Sequence, residues 1–217
     1  IGYLSSFQAH CEKNHIDFSQ YLSADKNLNS ETELHHFLGK DIVNFHGLFW
    51  PAVLHGAGYR SPTALHVNGY LTVNGAKMSK SRGTFVMARS YLNAGLAPEA
   101  LRYYFASKSS SGVADLDLNL EDFVAKVNAD IVGKFVNIAS RCAGFINKQF
   151  DGQLAAELHD PETYSHFVSE FSAIQQSYLS TDIALALRQT MALADIANRY
   201  IDDQKPWVLA KDSAQSE

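Results

Sequence analysis

Cysteine is scarce in this 217-residue chain: Cys11 and Cys142 are its only two, far apart and in no Cys-x-x-Cys pair. That argues against a disulfide-stapled fold and a cysteine zinc site, and it fits a reducing, cytoplasmic setting. No apolar run reaches the roughly 20 residues of a membrane helix, no secretory leader pattern opens the sequence, and there is neither an internal repeat nor a low-complexity tract. Basic charge is not in excess either. Eighteen Lys and Arg against 23 Asp and Glu give a formal net charge of −5. A general nucleic-acid coat, which is basic overall, is thereby excluded, and any contact with nucleic acid must be local. What remains is an ordinary globular composition, 46% hydrophobic and 12% aromatic, long enough for one large domain or two small ones.

The scarce positive charge is concentrated in one place. In "VNGAKMSKSRGTF" (73–85), Lys77, Ser79, Lys80, Ser81 and Arg82 fall between Gly75 and Gly83. Glycine lets a backbone move and approach a ligand closely. Lysine is a compact cation on a flexible stem, suited to phosphate oxygens. Phosphoryl or nucleotidyl transfer builds negative charge on such oxygens, and a lysine placed there stabilises the transition state more than the ground state. The competing reading is a solvated basic loop or a localisation signal.

Around this loop the pattern predicts a helix over 1–14, a polar loop over 15–30, a strand over 33–39 and a helix over 41–56. Asp41 is expected as that helix's cap, Gly56 as its stop, and Pro51 as a kink. A strand over 64–67 and a hairpin at Asn74-Gly75 follow. Strand, helix, strand in this order suggests a parallel α/β unit. From residue 86 everything reads helical. Pro98 opens one helix, Asn119 with Asp122 caps a long one over about 120–149, and two more follow near 161–179 and 182–203. The long helix carries an apolar seam through Val124, Val127, Ile131, Phe135, Ile138, Cys142 and Phe145.

The literal string "KMSKS" followed by Gly-bounded residues, just after a strand and hairpin, resembles the second signature of class I aminoacyl-tRNA synthetases. Together with "HFLGKDIVNFHGLFWPAVL", "NGYLTVNGAKMSKSRGTF", "LRYYFASK", "DLNLEDFVAKVNADIVGKFVN" and "ANRYIDDQKPW", it resembles the bacterial-type methionyl-tRNA synthetase family over essentially the whole chain. The resemblance implies the C-terminal part of a Rossmann-like catalytic domain followed by an incomplete helical anticodon-binding bundle, mostly helical overall. The implied divisions are 1–70 for the catalytic part, 71–118 for the signature loop and connecting region, and 119–217 for the bundle. The family's first signature, His-x-Gly-His, does not occur. With an apolar start and a polar finish, this leads us to expect a piece of a longer chain that is inactive by itself.

The implied activity is ATP-dependent formation of methionyl-adenylate and transfer of methionine to tRNA(Met), initiator included, with ATP and Mg2+ and no membrane or DNA partner. The family's zinc knuckle would lie upstream, which leaves zinc open. By resemblance Lys80 binds the pyrophosphate moiety, with Lys77 and Ser79 supporting it. Gly39 and Asp41 contact ATP, Asp41 through ribose hydroxyls; read from the residues alone, Asp41 is a helix cap. Leu71 offers backbone to the adenine. Tyr3, His46 and Phe49 line the methionine pocket, where sulfur packs on aromatic edges. Asn137, Arg141, Pro206 and Trp207 read the anticodon, and Asp202 repels wrong ones. Read from the residues alone, these are a surface Asn–Arg pair opposite the apolar seam and a tryptophan that packs the bundle. The family's His-Gly-aromatic is here Asn68-Gly69-Tyr70, and Asn68 cannot titrate. Two rivals stand beside this: another class I synthetase, for leucine, isoleucine, valine or cysteine, and an inactive module that only binds tRNA.

Overall fold

The computed structural model describes residues 2–25, 31–78, 86–109 and 112–211. They divide into two compact units, Ile1–Tyr70 with Gly112–Asp115, and Leu71–Ser111 with Leu116–Glu217.

The first unit is an α/β layer. Helix α1 (Gly2–Asn14) buries Cys11 completely. The stretch expected to be loop holds a helical turn, α2 (Ser19–Leu22), because Leu22 supplies an apolar anchor, only 6% exposed. Strand β1 (His35–Gly39) pairs in parallel with β2 (Ala64–Asn68), His35 opposite Ala64 and Gly39 opposite Asn68. The connection between them is helical, as the βαβ pattern requires. It opens with a 3-10 turn at Lys40–Ile42, widens into a π turn at Phe45–Phe49, and ends as α3 (Trp50–Gly56). Pro51 accounts for the wide turn. It has no N–H for the carbonyl four residues back, so the helix accommodates its ring by loosening the preceding turn. Asp41 is not the helix cap: Gly39 holds that position and no side chain bonds the free N–H groups. Leu54 and Leu38 fill the core.

The second unit is mainly helical. Strand β3 (Leu71–Val73) and β4 (Ala76–Lys77) form the expected hairpin, Thr72 opposite Lys77 and Val73 opposite Ala76. Asn74 and Gly75 both have positive φ, 49° and 74°, the conformation a two-residue I′ turn needs. One element departs from the all-helical expectation: β5 (Leu116–Leu118) runs parallel to β3 and buries Leu118. Its Leu-Asp-Leu alternation is the strand period, in a run too short to stand out.

Helix α4 (Ala88–Asn93) precedes α5 (Pro98–Lys108), which starts on its proline as expected. The long helix begins as α6 (Leu120–Lys126), its Asn119 side chain accepting the Asp122 N–H at 2.9 Å. It widens into π turns at Val127–Val136 and continues as α7 (Asn137–Gln149). Helices α8 (Pro161–Leu179), α9 (Ile183–Gln204) and α10 (Pro206–Leu209) complete the order. Five of the seven seam residues, Val127, Ile131, Ile138, Cys142 and Phe145, are half-buried, within and beyond the wide turns. Val124 and Phe135, expected inside, are 56% and 58% exposed.

Candidate functional site

Three groups of expected site residues are positioned by these elements. In the first unit, the turn Gly39-Lys40-Asp41 follows the C-terminal end of β1, where parallel sheets bind ligands. The Asp41 carboxylate folds back over Gly39 so closely that a Cβ there would sit 2.7 Å from its Oδ1. Lys40 is pinned beside them. Its Nζ lies 2.5 Å from Asp115 Oδ1 and 4.4 Å above the Tyr70 ring. The same carboxylate oxygen accepts the Tyr70 N–H at 2.8 Å. Gly69 has no room for a side chain, since a Cβ would meet the Ala114 carbonyl oxygen at 2.2 Å.

Helix α1 and the π turn bring Tyr3 to His46. His46 Nδ1 lies 3.0 Å from the Ile42 carbonyl oxygen, a group that can only accept. Nδ1 therefore carries the proton, and Nε2 accepts from the Tyr3 hydroxyl at 3.2 Å. Around this pair gather two residues not singled out for the pocket, His36 and Trp50. Trp50 lies edge-on to Tyr3 at 5.8 Å between ring centroids, and His36 stands 5.6 Å from His46. The strand alternation that turns Leu38 inward also turns His36 inward, which is the signal that could have found it. His36 Nε2 and Trp50 Nε1 are buried with no hydrogen-bond partner among the described residues. Burial, and then the nearby His46, hold the His36 imidazole below its usual range. Tyr3, His36 and Trp50 form one wall of a cavity of about 320 Å3, otherwise mostly apolar. Phe49 is not part of this group: it is 61% exposed and its ring lies against Phe45 at 5.8 Å.

In the second unit Leu71 sits half-buried in β3 opposite Leu116. Lys77 ends the hairpin. Ser79 and Lys80 lie outside the described residues.

The helical residues form one cluster. Asn137 and Arg141 do not lie opposite the packed side. Both are half-buried and bond residues of α9, because each lies one residue, about 100°, from a seam position, Ile138 or Cys142, and so flanks the seam rather than opposing it. Asn137 Nδ2 donates to Asn198 Oδ1 at 3.1 Å, and Asn198 in turn donates to the Lys134 carbonyl at 2.9 Å. Arg141 pairs with Asp202, whose carboxyl is held below the usual range by that bond. The guanidinium lies 4.9 Å from the Trp207 ring centroid. Pro206 opens α10 right after Lys205, a residue in the left-handed region that turns the chain. Asn137, Arg141, Asp202, Pro206 and Trp207 thus lie along one side of the bundle, Asn137 a turn away from Arg141.

A strand-end glycine turn, a signature hairpin and a helical bundle on one chain are the parts of a class I tRNA synthetase. Residues 1–143 match the family model described as tRNA synthetases class I (M), and the chain belongs to this family. It is similar to the methionine–tRNA ligase of Stenotrophomonas maltophilia strain K279a, 69% identical over 211 residues, covering 97% of this chain and 30% of that relative. The methionine–tRNA ligase of Xanthomonas oryzae pv. oryzae strain PXO99A is 66% identical over the whole chain and 31% of its own length. The chain therefore spans under a third of these curated relatives. Among solved structures, Mycobacterium tuberculosis methionyl-tRNA synthetase bound by methionyl-adenylate superposes with a TM-score of 0.72 at 25% identity, over 89% of this chain and 39% of that one.

Proposed function

We propose that this chain is part of a methionine–tRNA ligase, which activates methionine with ATP and transfers it to tRNA(Met), initiator included. The observation that carries the reading is the stretch Gly39–Trp50. It has a strand-end turn suited to a nucleotide at one end and the Tyr3–His46–Trp50 ring cluster at the other. Activation needs both sites close together, because a methionine carboxylate oxygen attacks the α-phosphorus of ATP while pyrophosphate leaves with the bridging oxygen's electron pair.

In this reading Gly39 admits the nucleotide and Asp41 accepts from the ribose hydroxyls. Leu71 offers backbone to adenine. Lys80, aided by Lys77 and Ser79, neutralises the departing pyrophosphate. On binding, the Tyr3 hydroxyl turns its proton from His46 Nε2 to the thioether sulfur, and Phe49, exposed on the turn that carries His46, closes over the ligand. Shape by itself discriminates by only about 1–3 kcal/mol per methylene, so this polar contact is what rejects leucine-like competitors. Asn137, Arg141, Pro206 and Trp207 stack on and bond the anticodon bases, and Asp202 repels wrong ones. Mg2+ enters with ATP as substrate. Among the described residues no group of three or more His, Cys, Asp or Glu could hold a metal ion, and zinc forms no part of the proposal. The divisions 1–70, 71–118 and 119–217 then serve catalysis, the signature loop with its connection, and anticodon binding. The setting is cytoplasmic; among the described residues no helix is long and apolar enough to cross a membrane.

The test is methionine-dependent ATP–pyrophosphate exchange. The full-length protein should exchange with methionine in preference to leucine, isoleucine, valine or cysteine, and Lys80→Ala should abolish it. The 217-residue chain by itself should not exchange. Arg141→Ala and Trp207→Ala should each weaken tRNA binding, and unchanged affinity in both would remove the anticodon assignment.

A further inference from the structure

The signature hairpin is held by one carboxylate. Asp117, the middle residue of β5, lies opposite Thr72 in the ladder. Its Oδ1 accepts from the Thr72 hydroxyl at 2.6 Å and from the Gly75 N–H at 2.8 Å. The adjacent Asn74 N–H donates to the Leu118 carbonyl at 3.1 Å. Both turn residues of the hairpin are therefore tied to β5, one through a side chain and one through the backbone. These bonds matter because Asn74 and Gly75 sit in the left-handed region, where a non-glycine residue is not held by its own preference. Without the carboxylate the Gly75 N–H has no partner in the ladder, since it faces the turn rather than the opposite strand. The Thr72 hydrogen bond, followed by that of Gly75, holds the Asp117 carboxyl below the usual carboxylate range, as expected for an acceptor bonded twice.

We propose that Asp117 is a positioning residue for the activation step: its carboxylate fixes the Asn74–Gly75 turn and, through it, the strand that carries Lys77. The proposal rests on the synthetase reading above. Asp117 touches no substrate in it. The residue sets where the hairpin delivers Lys77, and a misplacement of about 1 Å at a catalytic group costs up to roughly a hundredfold in rate.

The experiment uses the full-length enzyme containing this chain and measures methionine-dependent ATP–pyrophosphate exchange. Absence of exchange in the wild type overturns the synthetase reading itself, before any variant is compared. With an active wild type, Asp117→Ala should lower kcat about tenfold or more, leave KM for methionine unchanged, and keep the helical circular-dichroism spectrum. Asp117→Asn places an amide oxygen where Oδ1 was and can accept both bonds, so it should stay within about threefold of wild type. Because Asp117 acts through Lys77, Asp117→Ala combined with Lys77→Ala should be no slower than Lys77→Ala. The inference is overturned by a folded Asp117→Ala enzyme with wild-type kcat, by Asp117→Asn as slow as Asp117→Ala, or by losses that multiply in the double variant. Should Asp117→Ala not fold, Thr72→Val decides. It removes one donor and no charge, and should lower kcat about threefold with the methionine KM fixed; wild-type kcat in that variant equally overturns the inference.

Discussion

Replacing Tyr104 by phenylalanine isolates a single buried oxygen. Tyr104 is fully buried, and its ring would stay in place, edge-on to Phe123 at 5.5 Å. The hydroxyl has one proton and three acceptors within reach. The Asp122 carboxylate is nearest at 2.9 Å, ahead of the Asp117 and Asn119 carbonyls at 3.2 and 3.4 Å. The oxygen also accepts the Asn119 N–H at 3.3 Å. Phenylalanine removes a bond to a charged group, about 1.5–3 kcal/mol, and leaves the Asn119 N–H short of a partner. Asp122 keeps Lys108 and is half-exposed, so water recovers part of the loss and about 1.5–2 kcal/mol is expected. With a urea slope of about 2 kcal/mol/M, the midpoint of the 217-residue chain, followed by helical circular dichroism, should fall by about 0.8–1 M. A pH series gives an independent check. Lys108, then Tyr104, hold the Asp122 carboxyl below its ordinary 3.8. A carboxylate lowered by folding contributes stability above its unfolded value and loses it as pH falls through the folded one. The gap between wild type and variant should therefore narrow below pH 3.8. A midpoint shift under about 0.2 M at neutral pH, or a gap indifferent to pH, would refute the reasoning.

Gly69→Ala drives a Cβ into the Ala114 carbonyl at 2.2 Å, backbone against backbone; it should cost the first unit about 3 kcal/mol, read from Trp50 fluorescence during urea unfolding in a Trp207→Phe background. His36, held below its ordinary 6.5 by burial and by His46, binds fewer protons folded than unfolded. The stability of that unit should therefore rise with pH up to about 6.5 and fall on acidification, and His36→Gln should flatten the slope. Asp202→Asn leaves Arg141 beside Trp207 without its fixed anion. It should raise the affinity for tRNAs with other anticodons more than for tRNA(Met), measured by filter binding.

The elements legible in the sequence were those whose signals are local. The Asn74-Gly75 turn, the Pro98 start and the Asn119 cap each depend on a few neighbouring residues, and each stands where expected. One feature escaped because its cause is not local, and one because the helical period was applied too coarsely. Strand β5 is three residues long and exists because β3 offers it a partner. The facing of Asn137 and Arg141 differs from the expectation because residues next to the seam positions Ile138 and Cys142 sit only about 100° round the helix from them, so they border the packed side instead of opposing it. In the candidate site, Tyr3 and His46 are 43 residues apart and were associated through family resemblance. No periodicity joins them, and the inward His36 was hidden in a His-His pair whose alternation became visible only when β1 paired with β2.

The polar ladder on α9 fixes how the proposed anticodon residues are held. Lys134 meets Asp195, Asn137 meets Asn198 and Arg141 meets Asp202, each across 61 residues. A constant offset means that the two helices run parallel in one register. The apolar side of α9 buries small groups most completely, Ala184, Ala186 and Ala194, with Ile201, so the directional polar rungs add to what non-directional burial does to set that register. A slip of one residue breaks all three polar rungs together. The last rung differs from the others because its cation also faces an indole. Arg141 is 20% exposed at the side chain whereas its partner Asp202 is 61% exposed, and water screens an ion pair with so open a partner. The pair therefore adds little to stability while holding a planar guanidinium in one place beside Trp207. In the proposed reading, a base arriving there meets a cation already in place, whose exposed partner it can displace. That combination suits recognition better than a strong bridge would, and it requires the rungs at Lys134 and Asn137 to hold the register when Asp202 lets go.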